Sequence, residues 1–209
     1  MRVLGIDTTQ DACQAAVIDG ARVLATLSEP MQRGHQERLA TLVAQAMAES
    51  GLGFDALERI GVTVGPGSFT GLRVGLAFAK GLALALAVPC VGVSTLQALV
   101  AGRQGKCAAV LDARRDQVYL QLFEGDGSRS DPMAVSIPEA VEHVRTFAGS
   151  DPIQLLGPGA VLIAESVQGA LTSVAVDPAT VARLAARSPA PLGTPRPIYL
   201  RAPDARLPA

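Results

Sequence analysis

The sequence predicts an α/β protein built from two similar halves that meet near residue 105. Two patterns carry that expectation. Short apolar runs of strand length alternate with longer runs at helical spacing, and the series of strands followed by helices occurs twice. Apolar residues make up 49% of the 209 and charged residues only 18%, a balance that favours burial and excludes a disordered chain. At this length folding removes roughly 70% of the extended chain's surface, so a core forms without disulfide staples or a structural metal.

Residues 3–6 form a short apolar strand that ends at Asp7 and the turn Thr8-Thr9-Gln10. Residues 12–18 and 22–27 flank Asp19-Gly20, a strong hairpin signal, so three strands come first. In residues 36–50, Leu39, Leu42, Val43, Ala46 and Met47 fall at helical spacing, and Gly51 supplies the stop. A strand at 60–64 leads into the run Gly65-Pro66-Gly67-Ser68-Phe69-Thr70-Gly71-Leu72-Arg73-Val74-Gly75, which opens a long helix over about 70–87. After a strand at 91–93, Ser94-x-x-Gln97 has the spacing of a capping box and starts a helix that closes near Gly102.

The pattern then restarts. Strands at 107–111 and 117–123 flank Asp112-Ala113-Arg114-Arg115-Asp116, and Ser136-Ile137-Pro138-Glu139 is a second capping box with Pro early in its helix. A strand at 153–156, a helix at 160–168 and a last helix from Asp177-Pro178 to near Arg187 follow. The tail from Ser188 is rich in Pro and Arg, with one anchor at Pro197-Ile198-Tyr199-Leu200-Arg201. The expected division is 1–104 and 105–209.

Formal net charge is −1, and the chain has two Tyr, five Phe and no Trp. A protein that grips nucleic acid unaided usually shows a positive field or stacking aromatics, so this chain is not expected to act on RNA alone. Cys13, Cys90 and Cys107 are widely spaced in apolar stretches, which suits buried thiols in a reducing cytosol. Residues 81–102 carry no charge over a length that could span a bilayer, but Pro89, Ser94, Thr95 and Gln97 break the stretch. It reads as interior, not membrane.

The glycine run follows a strand and opens a helix, the setting in which free N–H groups and the helix dipole favour an anion. It lacks the Gly-Lys-Ser/Thr of a Walker loop, and Thr70 stands where a dinucleotide fingerprint needs its third glycine. Asp7, Gly67, Ser68, Thr70 and Arg73 are the candidate phosphate or nucleotide contacts. Arg73 opposes the helix dipole and so calls for a carboxylate or an anionic ligand, though a plain strand-to-helix turn with Arg73 in a surface ion pair fits too. Within the same helix Gly67, Gly71, Gly75, Ala79, Ala83 and Ala87 recur every four residues between large apolar side chains. The first helix repeats the theme with Ala40, Ala44 and Ala48. Small ridges let helix backbones approach closely. Either this chain covers both ridges or another polypeptide does, and a chain this short favours the second.

No enzymatic constellation assembles. His35 and His143 are the only histidines, Leu39 stands where a helical metal pair would need a second one, and Ser68 lacks the nucleophile elbow. Asp7, Asp112 and Asp116 lie at strand ends, where carboxylates hold Mg²⁺ in some proteins and cap turns in most.

Gly5-Ile6-Asp7-Thr8, the run from Gly65 to Gly75, Asp112-Ala113-Arg114-Arg115-Asp116-Gln117-Val118-Tyr119 and the closing Pro197-Ile198-Tyr199-Leu200-Arg201 stand in one order. On these residues the chain resembles the TsaB family, the non-catalytic subunits of the bacterial tRNA threonylcarbamoyladenosine machinery, from its first strand to its last few residues. The resemblance implies tandem actin/Hsp70-like (ribonuclease H-like) domains with mixed sheets. It implies an accessory role in placing a threonylcarbamoyl group on the adenosine beside the anticodon, in tRNAs reading codons that begin with A. The catalytic paralogue TsaD carries two histidines four apart, and this chain has no such pair. By the same resemblance the chain pairs with TsaD, or with itself as a homodimer, through helices 36–50 and 70–87. The implied contacts are Leu39, Ala40, Val43, Ala44, Met47, Gly71, Leu72, Gly75, Leu76, Ala79 and Ala83. An ATPase subunit, TsaE, joins; tRNA is met only through the complex, ATP or ADP enter only there, and the setting is cytoplasmic. The family's occasional glycoprotease label finds no residues here for peptide hydrolysis. The alternative is an autonomous nucleotide-dependent kinase or hydrolase, resting on Asp7, the glycine run and Asp112.

Overall fold

A computed structural model describes residues 1–167, 169–172, 175–189 and 193–201. The first half runs β1 (Arg2–Asp7), β2 (Ala12–Asp19), β3 (Arg22–Pro30), α1 (His35–Ser50), β4 (Arg59–Thr63), α2 (Phe69–Leu86), β5 (Cys90–Val93) and α3 (Thr95–Val100). The second runs β6 (Lys106–Arg114), β7 (Gln117–Glu124), β8 (Gly127–Ser128), β9 (Met133–Ser136), α4 (Ile137–Ala148), β10 (Ile153–Leu156), α5 (Val161–Ala164), β11 (Ala170–Thr172) and α6 (Pro178–Arg187).

Each half forms one mixed sheet, ordered β3-β2-β1-β4-β5 and β11-β10-β6-β7-β8, with β9 also on β7. In each, the first strand of the half pairs antiparallel with its hairpin partner on one side and parallel with a crossover strand on the other. The central β1 is buried along its length after Arg2, which is why it reads as an unbroken apolar run and not an alternating one. This is the duplicated actin-like arrangement of the sequence expectation.

Two helices leave their own half. α6 packs on β1, β4 and β2 of the first sheet, whereas α3 packs on β6 and β7 of the second. The approach of α6 is close: a Cβ at Gly5 would collide with Pro178 O and sit 2.8 Å from Ala182 N, and one at Gly61 would sit 2.6 Å from the Ala185 methyl. Arg59 on β4 ends this helix, its Nη1 donating to Ala185 O at 2.7 Å and Ser188 O at 2.6 Å, so a cation faces the negative end of the dipole. The layers run α1 and α2, first sheet, α3 with α6, second sheet, α4 with α5, around three apolar clusters. The central cluster draws Val3 and Ile18 from the first sheet, Leu111 and Phe123 from the second, and Leu99 and Val181 from the exchanged helices.

Local signals explain most boundaries. Ser136 and Glu139 form the complete capping box of α4, Ser94 Oγ accepts from Gln97 N at the head of α3, and Asp177 caps α6. α2 stops at Ala87, which is left-handed and bonds back to Ala83 O and Leu84 O. The uncharged stretch 81–102 is accordingly the end of α2, then β5, then α3. The helix expected over 160–168 is the single turn of α5, and Gln168, its expected end, lies outside the described residues, as does the tail beyond 201. β8, β9 and β11 have two to four residues each, too short for a periodicity to show.

Adding one methyl at Gly5 forces α6 off the sheet, so Gly5→Ala is expected to lose roughly 1–3 kcal/mol in urea unfolding. Gly81, on the exposed flank of α2, meets nothing within 4 Å. Gly81→Ala should gain roughly 0.5–1 kcal/mol from helix propensity alone.

Candidate functional site

Asp7 ends β1 at the centre of the first sheet and is fully enclosed. Its Oδ1 accepts from Thr9 N at 3.1 Å, Thr9 Oγ1 at 2.6 Å and Thr63 Oγ1 at 2.7 Å, while Oδ2 accepts from Gln14 Nε2 at 3.2 Å. Gln14 Nε2 also reaches Val176 O just before α6, and Thr95 at the head of α3 reaches Thr9 Oγ1. One carboxylate thus ties together the β1–β2 turn, β4 and the approaches of both exchanged helices. Burial pushes its pKa above the usual carboxylate range, and the bonds from Thr9, Thr63 and Gln14 offset part of that rise. All its donors are neutral.

The glycine run is spent on the same turn. Ser68 N donates to Thr9 O at 2.8 Å, and Gly67 lies against Thr9 with no room for a side chain. Ser68 caps α2, accepting from Gly71 N at 3.3 Å. Thr8 Oγ1 donates to Gly71 O at 2.7 Å, and a Cβ at Gly71 would collide with Thr8 O. Of the five candidate phosphate contacts, Asp7 is therefore sealed, Gly67 and Ser68 hold the turn, and Thr70 and Arg73 face solvent.

Arg73 departs from its expectation. Its guanidinium carbon stands 3.7 Å over the Phe69 ring and its Nε donates to Tyr199 Oη at 3.2 Å, while the Phe69 and Tyr199 rings are 5.3 Å apart. A π-face and a phenol take the place of a carboxylate or ligand anion. Asp112, another of the three strand-end candidates, binds Arg114 through N–H and guanidinium. Among the described residues no group of three or more His, Cys, Asp or Glu side chains is placed to hold a metal ion.

The helix-face expectation needs correction. Leu39, Val43 and Met47 of α1, and Gly71, Leu72, Gly75, Leu76, Ala79 and Ala83 of α2, are buried by this chain itself. The small ridge of α2 faces inward because Gly71 and Gly75 must clear Thr8. Only Ala40 and Ala44 of the eleven expected contacts are exposed. The uncovered flank of α2 lies on the other side, at Thr70, Arg73, Ala77, Gly81 and Leu84, with Val74 and Phe78 half-buried beside it. Leu84 is 84% exposed, the most exposed of the large apolar side chains among the described residues. Composition showed that α2 is apolar all round, but not which side the sheet would take.

Between the halves a cleft of about 800 Å³ is lined by Gln10, Arg33, Phe69, Asp112, Tyr119 and Tyr199, among others. Both tyrosines of the chain stand here. Tyr199 carried no sequence signal beyond its place in the tail anchor.

Removing the Asp7 carboxylate strands several buried donors, so Asp7→Ala should cost roughly 3 kcal/mol in urea unfolding. The pH sign is specific. A folded pKa raised above the usual 3.8 means the ionisation penalty is present at neutral pH and disappears as pH falls through the folded value. Wild type should therefore gain stability relative to Asp7→Asn between pH 7 and pH 4; a relative loss would show that the hydrogen bonds outweigh burial.

A family described as tRNA N6-adenosine threonylcarbamoyltransferase, TsaD, matches residues 22–182. The tRNA threonylcarbamoyladenosine biosynthesis protein TsaB of Escherichia coli K12 is 36% identical over 159 residues, covering 71% of this chain and 68% of that protein. An uncharacterized protein of Mycobacterium tuberculosis H37Rv is 35% identical over an alignment of 215 residues, covering 98% of this chain and 93% of that one. Among solved structures, YeaZ from Pseudomonas aeruginosa superposes with a TM-score of 0.76 at 27% identity, covering 88% of this chain and 90% of that one. The chain belongs to the TsaB family of tRNA threonylcarbamoyladenosine biosynthesis proteins.

Proposed function

We propose that this chain is the non-catalytic subunit of a tRNA-modifying assembly, and that it supports a catalytic paralogue, TsaD, by docking through the outer flank of α2. The observation that carries the proposal is the uncovered apolar stripe of Ala77, Gly81 and Leu84 on a helix whose inner ridge is already committed to the chain's own sheet. Ala40, Ala44 and Ala48 of the neighbouring α1 offer a second small-residue track. Alanine and glycine at such positions let a partner helix come close, and covering Leu84 is worth roughly 1.5–3 kcal/mol. The same flank would serve a homodimer when the paralogue is absent.

An accessory role fits the enclosed Asp7. An autonomous kinase or hydrolase would need that carboxylate at a metal or a phosphate, and four neutral donors already enclose it. On this proposal ATP or ADP, the ATPase subunit TsaE and tRNA belong to the assembled complex.

Purified chain and paralogue should co-elute from a sizing column at micromolar concentration. Two separate peaks would overturn the proposal. Leu84→Asp should split the pair while leaving unfolding within about 0.5 kcal/mol of wild type, as an exposed substitution does. In cells depleted of the chain, tRNA nucleoside analysis should show the threonylcarbamoyl mark falling, with rescue by wild type and not by Leu84→Asp.

A further inference from the structure

The tail crosses the mouth of the cleft. Ile198 N donates to Val64 O at 2.7 Å, just beyond β4, and Ile198 O passes so near Gly65 that a Cβ there would sit 2.9 Å away. Pro195 lies against Gly92 of β5, where a Cβ would be 3.0 Å from its ring. Ile198 also packs on the apolar cluster under α1 and α2. These contacts fasten the tail to the first half. Three residues on, Arg201 Nη1 donates to Ala113 O, at the end of β6 in the second half. Between the anchors Tyr199 stands on Phe69 and Arg73 at the head of α2.

We propose that residues 195–201 are a strap that clamps the two halves together across the cleft and sets how far it opens. The halves already share a core where α3 and α6 cross over, with Val3, Ile18, Leu99, Leu111, Phe123 and Val181 in one apolar cluster. In this proposal that shared core is the fixed side about which the halves hinge. The strap acts at the cleft, where the bond from Ile198 N to Val64 O and the bond from Arg201 to Ala113 O fasten it to the two halves. Tyr199 joins the strap to the outer flank of α2, so the aperture of the cleft and the exposed flank share a side-chain contact.

The inference is independent of the docking proposal, and the chain alone tests it. Spin labels at Thr41→Cys on α1 and Glu142→Cys on α4, both exposed positions, report the distance between the outer layers. The native Cys13, Cys90 and Cys107 are buried, and burial raises their thiol pKa values, so labelling goes to the introduced sites. Pulsed dipolar spectroscopy should give one narrow distribution for the full chain and for a chain ending at Arg201. Ending the chain at residue 194 should widen it at least about twofold, as expected for a hinge released at one rim. Equal widths in all three chains overturn the strap, as does widening already present in the chain ending at 201. Should the shortest chain lose its cooperative unfolding, the full-length double variant Tyr199→Ala, Arg201→Ala carries the same labels and the same two outcomes.

Discussion

Helix α2 lies so close to the turn after β1 that no side chain fits between them at Gly71 or Gly75. Thr8 donates to the helix backbone at Gly71, and Ser68 N returns a bond to Thr9. This contact fixes the rotation of α2 about its own axis. Once Gly71, Gly75, Ala79 and Ala83 point inward, Ala77 and Gly81 must point outward, because helical positions two residues apart lie on nearly opposite faces, and Leu84, two turns on from Ala77, shares their side. A helix with apolar residues all round then leaves an apolar stripe in water. α2 is, among the described residues, the one helix long and apolar enough to cross a membrane, yet its inner side is part of a sheet core. What it presents outward is the flank proposed above as the docking surface.

The same contact accounts for the closed state of the turn. In an α/β sheet the carboxyl ends of the strands are the usual place for a ligand. Here the end of β1 is occupied by the protein itself, with Asp7 receiving bonds from Thr9, Thr63 and Gln14 and the glycine run folded over Thr9. A buried carboxylate with neutral donors is costly to keep, but here it joins the turn, β4 and the segments leading into α3 and α6. The carboxylate at this strand end serves as a junction.

How much of this was legible in the sequence follows from the range of the forces involved. The longer strands and helices, the hairpin at Gly20, the Ser136 capping box and the Asp177 cap arise from neighbours within a few residues, and these could be read directly, unlike the short β8, β9 and β11. The repeat of the pattern after residue 105 foretold two sheets. The exchange of α6 could not be foreseen, since it depends on Gly5 and Gly61 meeting residues far along the chain, such as Ala182 and Ala185, and no local pattern assigned α3 to the second sheet. The ridge on α2 was found correctly and placed on the wrong side. A four-residue spacing of small side chains says that a backbone comes close, and says nothing of whose backbone it is. Arg73 likewise signalled a partner through its position against the dipole, and Phe69 with Tyr199 supplied it. Tyr199 is 126 residues distant in sequence, so no local pattern pointed to it.

The central claim is that α2 has an inner face satisfied by this chain and an outer face that another polypeptide covers. Hydroxyl-radical footprinting of the chain, alone and with saturating catalytic paralogue, reads both faces in one experiment. Leu76, 4% exposed, is the internal reference and should label weakly in both states. Leu84 should label strongly in the free chain and several-fold less in the complex. Labelling of Leu84 at the same rate in a mixture shown to contain the complex would contradict the account.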